Sequence, residues 1–179
     1  MFTEIESSLS LEKETFSFIT ILLKGILILS IAAQIKINLP WTPVPITGQT
    51  FAVALLSLHY GKKYAPSIVG GYLLVGFLGL PVFANFSSGL SFGPTFGYLV
   101  GMLLSSFILG AAKELNFTST FMKTLFSCYI ASFVTFTCGL FVLSFFVPKE
   151  ALLMAGLIPF LIGDFLKNLL VASLIQQTK

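Results

Sequence analysis

The sequence predicts an all-α membrane protein, six transmembrane helices in a compact bundle with both termini cytoplasmic and irregular outer loops. Three observations carry that prediction. Of the 179 residues, 56% are hydrophobic and 9% charged, and the mean hydropathy is +0.97, beyond what a wetted soluble surface allows. Apolar runs recur along the whole chain and are punctuated by Gly, Pro and lysine. The lysines are unevenly shared between the two sets of connections, which gives the orientation.

The chain opens with "MFTEIESSLSLEKETF", residues 1–16, where Glu4, Glu6, Glu12 and Glu14 face a single Lys13. A secretory signal needs a basic start and an immediate apolar run. Residues 1–15 are therefore expected to stay as a short cytoplasmic tail or surface helix, ahead of a single transmembrane domain over 16–179. The first apolar segment runs from 16 to 36, with Lys24 snorkelling to the near surface. Next comes "INLPWTPVPIT", whose three closely spaced prolines forbid continuous helix. Its backbone must be buried in protein or meet water.

The second segment, Thr47 to Tyr60, would rise only about 20 Å, too short to cross alone. The third, Tyr64 to Leu80, carries "GGY" at its centre, a site for close helix approach. An irregular connection from Pro81 to Pro94 follows. In the fourth, Thr95 to Ala112, Gly97, Gly101 and Ser105 form a small-residue ladder at four-residue spacing. The fifth covers 118 to 147 and the sixth 159 to 176. With six crossings, Lys13, Lys24, Lys62, Lys63, Lys113, Lys123 and Lys179 fall on the side of the termini, and Lys36 and Lys149 on the other. The positive-inside rule makes the lysine-rich side cytoplasmic. The connections 37–46, 81–94 and 148–158 then face outward, and that is where a solute would bind.

Composition also excludes functions. The ten lysines are scattered along the chain without forming a patch, which argues against a nucleic-acid partner. Cys128 and Cys138, ten residues apart on one predicted helix, are about 15 Å from each other and cannot bridge. One histidine, His59, reads as a wetted interfacial residue, and no metal cluster can be assembled around it. No phosphate-binding GxxxxGK[ST] loop and no nucleophile–base set are present, so the chain is expected to carry neither a cofactor nor an ATPase or other catalytic site of its own. Energy must come from a partner or a gradient.

The candidate chemistry is Asp164 and Lys167, three apart in "FLIGDFLKNLL" and so on one face of the sixth helix. Ionisable groups at that depth cost several kcal/mol unless paired or hydrated. Either they neutralise each other as a structural pair, or they line a pocket in which a carboxylate accepts N–H groups and an ammonium meets an anion. Asn85 is a turn residue or an amide that donates and accepts. Thr47 caps the second helix or lines the cavity. Gln49 lines the cavity or bonds to a neighbouring helix. Trp41, Phe83, Phe86, Phe92 and Tyr98 gather on the outer side, where together with Asn85 they could wall an apolar pocket with few polar fixers.

Four strings, "PVPITGQTFAV" (43–53), "YLLVGFLGLPVFA" (72–84), "GPTFGYL" (93–99) and "IGDFLKNLL" (162–170), closely resemble the BioY family, the biotin-binding S component of energy-coupling factor (ECF) transporters. The resemblance runs in order from about 18 to 175. It implies a six-helix subunit in the cell membrane that captures biotin from outside, alone or with a membrane coupling protein and two ATP-binding subunits. Carried over by position, Asp164, Lys167 and Asn85 are its binding residues. The chain departs from the family pattern at Gly48 and Phe96, and its first helix has Gly25, Ser30, Ala32 and Ala33 in place of a clean Ala-x-x-x-Ala docking pattern. The competing expectations are capture of another vitamin-sized solute and a non-transporting membrane scaffold.

Overall fold

Proline and glycine divide an otherwise uniformly apolar chain, and the structure breaks where they fall. It is a computed structural model that describes residues 2–89 and 92–178, with side chains described from Glu14 onward. Lys179 and the side chains of Glu4, Glu6, Glu12 and Lys13 lie outside the described residues. Helix α1 spans Phe2–Gln34. It starts well before the expected residue 16, so the acidic opening is helical, as the surface-helix alternative allowed, and runs on into the first apolar segment; glutamate is a good helix former.

After α1 the proline-rich stretch folds as a short hairpin, which the sequence did not announce. Strand β1 (Lys36–Ile37) pairs antiparallel with β2 (Ile46–Thr47), placing Lys36 opposite Thr47. Gly48 closes the hairpin onto α1: its N–H donates to the carbonyls of Ala32 at 3.1 Å and Ile35 at 2.8 Å. Those are carbonyls that a helix end leaves unpaired. A Cβ at this position would lie 2.9 Å from the Ala32 carbonyl oxygen, which explains glycine at one of the two positions where the chain departs from the family pattern.

Helices α2 (Gln49–Tyr60) and α3 (Ala65–Phe77) are both short. The 12 residues of α2 rise about 18 Å, in line with the expectation that this segment cannot cross alone. Gly71 of α3 lies on Leu22 and Ile26 of α1, the close approach that "GGY" suggested. Helices α4 (Phe96–Glu114) and α5 (Phe121–Leu143) pack through the predicted ladder. A Cβ on Gly101 would sit 2.8 Å from Thr135 Cα. One turn on, Ser105 Oγ lies 2.7 Å from both the Ala131 carbonyl and Thr135 Oγ1. A short helix α6 (Leu152–Gly156) then leads into α7 (Ile158–Gln177), with a proline in its first turn.

Among the described residues, four stretches are long and apolar enough to cross a membrane: Glu14–Gln34, Phe96–Glu114, Phe121–Leu143 and Lys149–Gln177. Large apolar side chains such as Leu23, Phe133, Phe141 and Ile162 point outward, as a lipid-facing surface requires. At one end of the bundle the Lys62 N–H donates to Glu114, and Gln176 Nε2 to the Thr118 carbonyl. At the other, Thr42 Oγ1 donates to the Ala155 carbonyl at 2.6 Å and Gln34 Nε2 to that of Phe83 at 2.9 Å. The three irregular connections therefore meet at one end, above the site.

Candidate functional site

Placing α2 between α4 and α7 brings the face of α7 that carries both charges against the start of α2 and the middle of α5. Asp164 reaches α5: its Oδ1 accepts from Ser132 Oγ at 2.9 Å, and its Oδ2 from Asn168 Nδ2, one turn along α7, at 2.9 Å. Asn168 Nδ2 also donates to Ser132 Oγ at 3.0 Å, closing a triangle. Lys167 turns the other way. Its Nζ donates to the Thr47 carbonyl at 2.7 Å and to Thr50 Oγ1 at 3.2 Å.

The two charges are thus held by different hydrogen-bond partners while each still acts electrostatically on the other. Each has its own hydrogen-bond partners, the condition under which a buried charge is tolerated. Lys167 also supplies a donor to a carbonyl in the hairpin, outside any helix, where an unpaired group would be costly.

Thr47 and Gln49 join this set. Thr47 Oγ1 accepts from the Gln49 N–H at 3.3 Å, a weak cap at the head of α2. The same hydroxyl donates to Gln49 Oε1 at 2.9 Å. Gln49 Nε2 donates to the Tyr72 hydroxyl at 2.7 Å, and that hydroxyl to the Val82 carbonyl at 3.1 Å. The alternatives for Gln49 are both realised, because this helix-to-helix bond forms at the cavity wall.

Enclosed by these groups is a cavity of about 390 Å³, within the size range of small-molecule sites. Thr47, Gln49, Thr50, Asp164, Lys167 and Asn168 furnish its polar side near α2 and α7. Val53, Met102, Leu109 and Phe160 are among its apolar walls. Tyr98 lines it while its hydroxyl donates to the Gly156 carbonyl at 2.7 Å. Phe83 lines it from above, 8% exposed and packed edge-on against Tyr72 and Phe77.

Asn85 stands at the mouth, exposed, with φ 62 and ψ 25. It is a turn residue and a lining residue at once. Its Oδ1 accepts from Lys36 Nζ, which leaves the amide N–H groups as its free donors. Gln34 brackets this turn, donating to the Phe83 carbonyl and accepting from the Phe86 N–H at 3.3 Å.

Phe86 is not brought to the cavity. Its φ of 53 continues the left-handed turn begun at Asn85, and its ring is 69% exposed and outside the lining. Trp41 and Phe92 are likewise exposed and outside it. Ser132, Thr50 and Asn168 were not anticipated. Asn168 had a readable signal, an amide one helical turn from Asp164 inside an apolar run. Ser132 is one hydroxyl among many and had none.

Comparison with known proteins finds the same pattern over the whole chain. The model of the BioY family matches residues 7–179. The biotin transporter BioY of Thermotoga maritima is 40% identical over 159 residues, 84% of this chain and 89% of that protein. A probable biotin transporter BioY of Pyrococcus horikoshii is 33% identical over 141 residues, 77% of this chain and 81% of that one. A crystal structure of the S-component for biotin from an ECF-type ABC transporter superposes with a TM-score of 0.82 at 24% identity, covering 93% of this chain and 92% of that one. Family and apolar helices together make this an integral membrane protein of the transport type, with the helical fold of that S component.

Proposed function

The chain belongs to the BioY family, and from that membership we propose that it captures biotin from the outer side of the cell membrane as the substrate-binding subunit of an ECF-type transporter. The observation that carries the reading is that Asp164 and Lys167 line one cavity from the same face of α7 while each is hydrogen-bonded to other groups. Biotin offers complementary chemistry: a cyclic urea with two N–H donors and one carbonyl, and a carboxylate at the end of an apolar tail. The Asp164 carboxylate keeps lone pairs free beyond the two hydrogen bonds it accepts, and takes a ureido N–H. Lys167 commits two of its three protons to Thr47 and Thr50; the third serves an anionic or carbonyl oxygen. Asn85 presents donors from the mouth, while Phe83 and Tyr98 supply apolar wall.

The assembly around the chain follows from the same reading. Both termini and the lysine-rich turns lie in the cytoplasm, a membrane coupling protein and ATP-binding subunits supply the energy, and the chain performs no chemistry of its own. The loops 37–46 and 81–89 close the cavity from outside and open to admit solute.

Uptake of radiolabelled biotin by cells expressing the chain tests this, with and without ECF partners and with Asp164→Asn. Biotin accumulation that is lost in Asp164→Asn and is not competed by a panel of other vitamins supports the reading. Accumulation no greater than in cells lacking the chain rejects it, and preferential competition by a different vitamin reassigns the solute.

A further inference from the structure

Resting on the reading above, we propose that Asn168 is itself a ligand-binding residue whose Oδ1 accepts one of the two ureido N–H groups of biotin beside Asp164. The orientation of the Asn168 amide is fixed by its neighbours. Nδ2 donates to Asp164 Oδ2 at 2.9 Å and to Ser132 Oγ at 3.0 Å. An ionised carboxylate only accepts, so the NH₂ group must face it and the carbonyl oxygen must face away. Among the described residues no hydrogen bond is donated to that oxygen.

Asn168 is only 5% exposed. Even so, the one side-chain polar atom sealed from solvent without a partner, among the described residues, is Ser57 Oγ. Asn168 Oδ1 is therefore open to solvent-sized space, and the space that Asn168 borders is the central cavity. A nearly buried side chain thus presents an acceptor into the cavity beside the Asp164 carboxylate. Buried polar groups are normally paired, so an acceptor held open in this way suits a donor brought by a guest.

Two N–H groups diverge from one urea, and a single carboxylate in this network does not serve both well. Asp164 for one N–H and Asn168 Oδ1 for the other gives each donor its own acceptor. Asn85 and Lys167 remain as the donors in the lining for biotin's carbonyl and carboxylate oxygens. The hydrogen bond from Asn168 Nδ2 to Asp164 links the two acceptors, so they are presented as one unit.

The test measures equilibrium binding to the purified full chain of biotin and of two analogues, each with one ureido N–H replaced by an ether-type oxygen to give a cyclic carbamate. Wild type, Asn168→Leu and Ser132→Ala are compared, with ligand-free melting curves for each and Asn168→Ala as the substitute where Asn168→Leu does not fold. In Asn168→Leu, biotin binding weakens by roughly tenfold, the effect of losing one buried partner. One of the two carbamates binds that variant at least as well as it binds wild type, because the N–H it lacks is the one that meets Asn168. Ser132→Ala, which removes a partner of both Asp164 and Asn168, weakens biotin and spares neither carbamate. Equal losses for biotin and both carbamates in Asn168→Leu, or unchanged biotin binding, overturn the proposal. Wild type that binds no biotin instead rejects the biotin assignment on which it rests.

Discussion

The Lys167 ammonium lies 2.7 Å from the carbonyl oxygen of Thr47, a residue 120 positions earlier in the chain. The bond ties the last helix to the point where the proline-rich hairpin becomes α2, and it fixes the cation at the cavity wall. Replacing Lys167 by Met removes the charge, leaves the Thr47 carbonyl without its donor, and keeps most of the side-chain volume. Biotin affinity is expected to fall by about 2 to 5 kcal/mol, the range for truncating a buried charged partner. A filter-binding isotherm with labelled biotin checks this. An affinity within twofold of wild type removes Lys167 from the site.

Gln34 grips the turn around Asn85 from both sides, through the Phe83 carbonyl and the Phe86 N–H. Gln34→Leu releases that grip without touching the cavity lining. Each hydrogen bond contributes on the order of 1 kcal/mol, so biotin should leave roughly 5 to 30 times faster. Chase experiments with unlabelled biotin read the rate directly, and an unchanged rate shows that the turn does not control release.

Phe83 and Phe86 are three residues apart and have opposite fates, one buried at the cavity and one facing out. Phe83→Ala opens space under Gly76 and Tyr72 and should cost about 3 to 5 kcal/mol of stability. Phe86→Ala should leave both melting temperature and biotin affinity close to wild type. Thermal melts in detergent, with and without biotin, separate the two. A strong affinity loss in Phe86→Ala shows that its ring turns inward when the site is filled.

Gly101 faces the backbone of α5 at Thr135, where no side chain can yield. Gly101→Val therefore forces α4 and α5 apart and should destabilise the fold by about 1 to 3 kcal/mol, the usual cost of overpacking. Because α4 and α5 both line the cavity, biotin affinity falls with stability. A variant that melts as wild type does contradicts the close approach.

Much of this architecture was legible in the sequence because the bilayer permits few alternatives. Uniformly apolar runs had to be helices, the prolines from 40 to 45 had to interrupt them, and the Gly97–Gly101–Ser105 ladder had to mark a tight seam. Asp164 and Lys167 were conspicuous because charge in an apolar span is costly. What they bond to was hidden: Ser132 is 32 positions from Asp164 and Thr47 is 120 from Lys167, separations that no local pattern encodes. The outward placement of Phe86 was hidden for a related reason. Aromatic character says that a ring seeks apolar surroundings, but the left-handed backbone at Asn85 and Phe86 decides which way it points. The hairpin after α1 was missed because two-residue strands carry no periodicity.

The central claim is that Asp164 and Lys167 are held apart by other partners so that a guest can lie among them. Titrating labelled biotin into the purified wild-type chain and Asp164→Asn, with the melting curve of each recorded, tests this most directly. The account predicts saturable binding at one site per chain in wild type and, in the folded Asp164→Asn variant, a loss of at least tenfold. No saturable binding by folded wild type at micromolar biotin, or equal binding by both proteins, contradicts it.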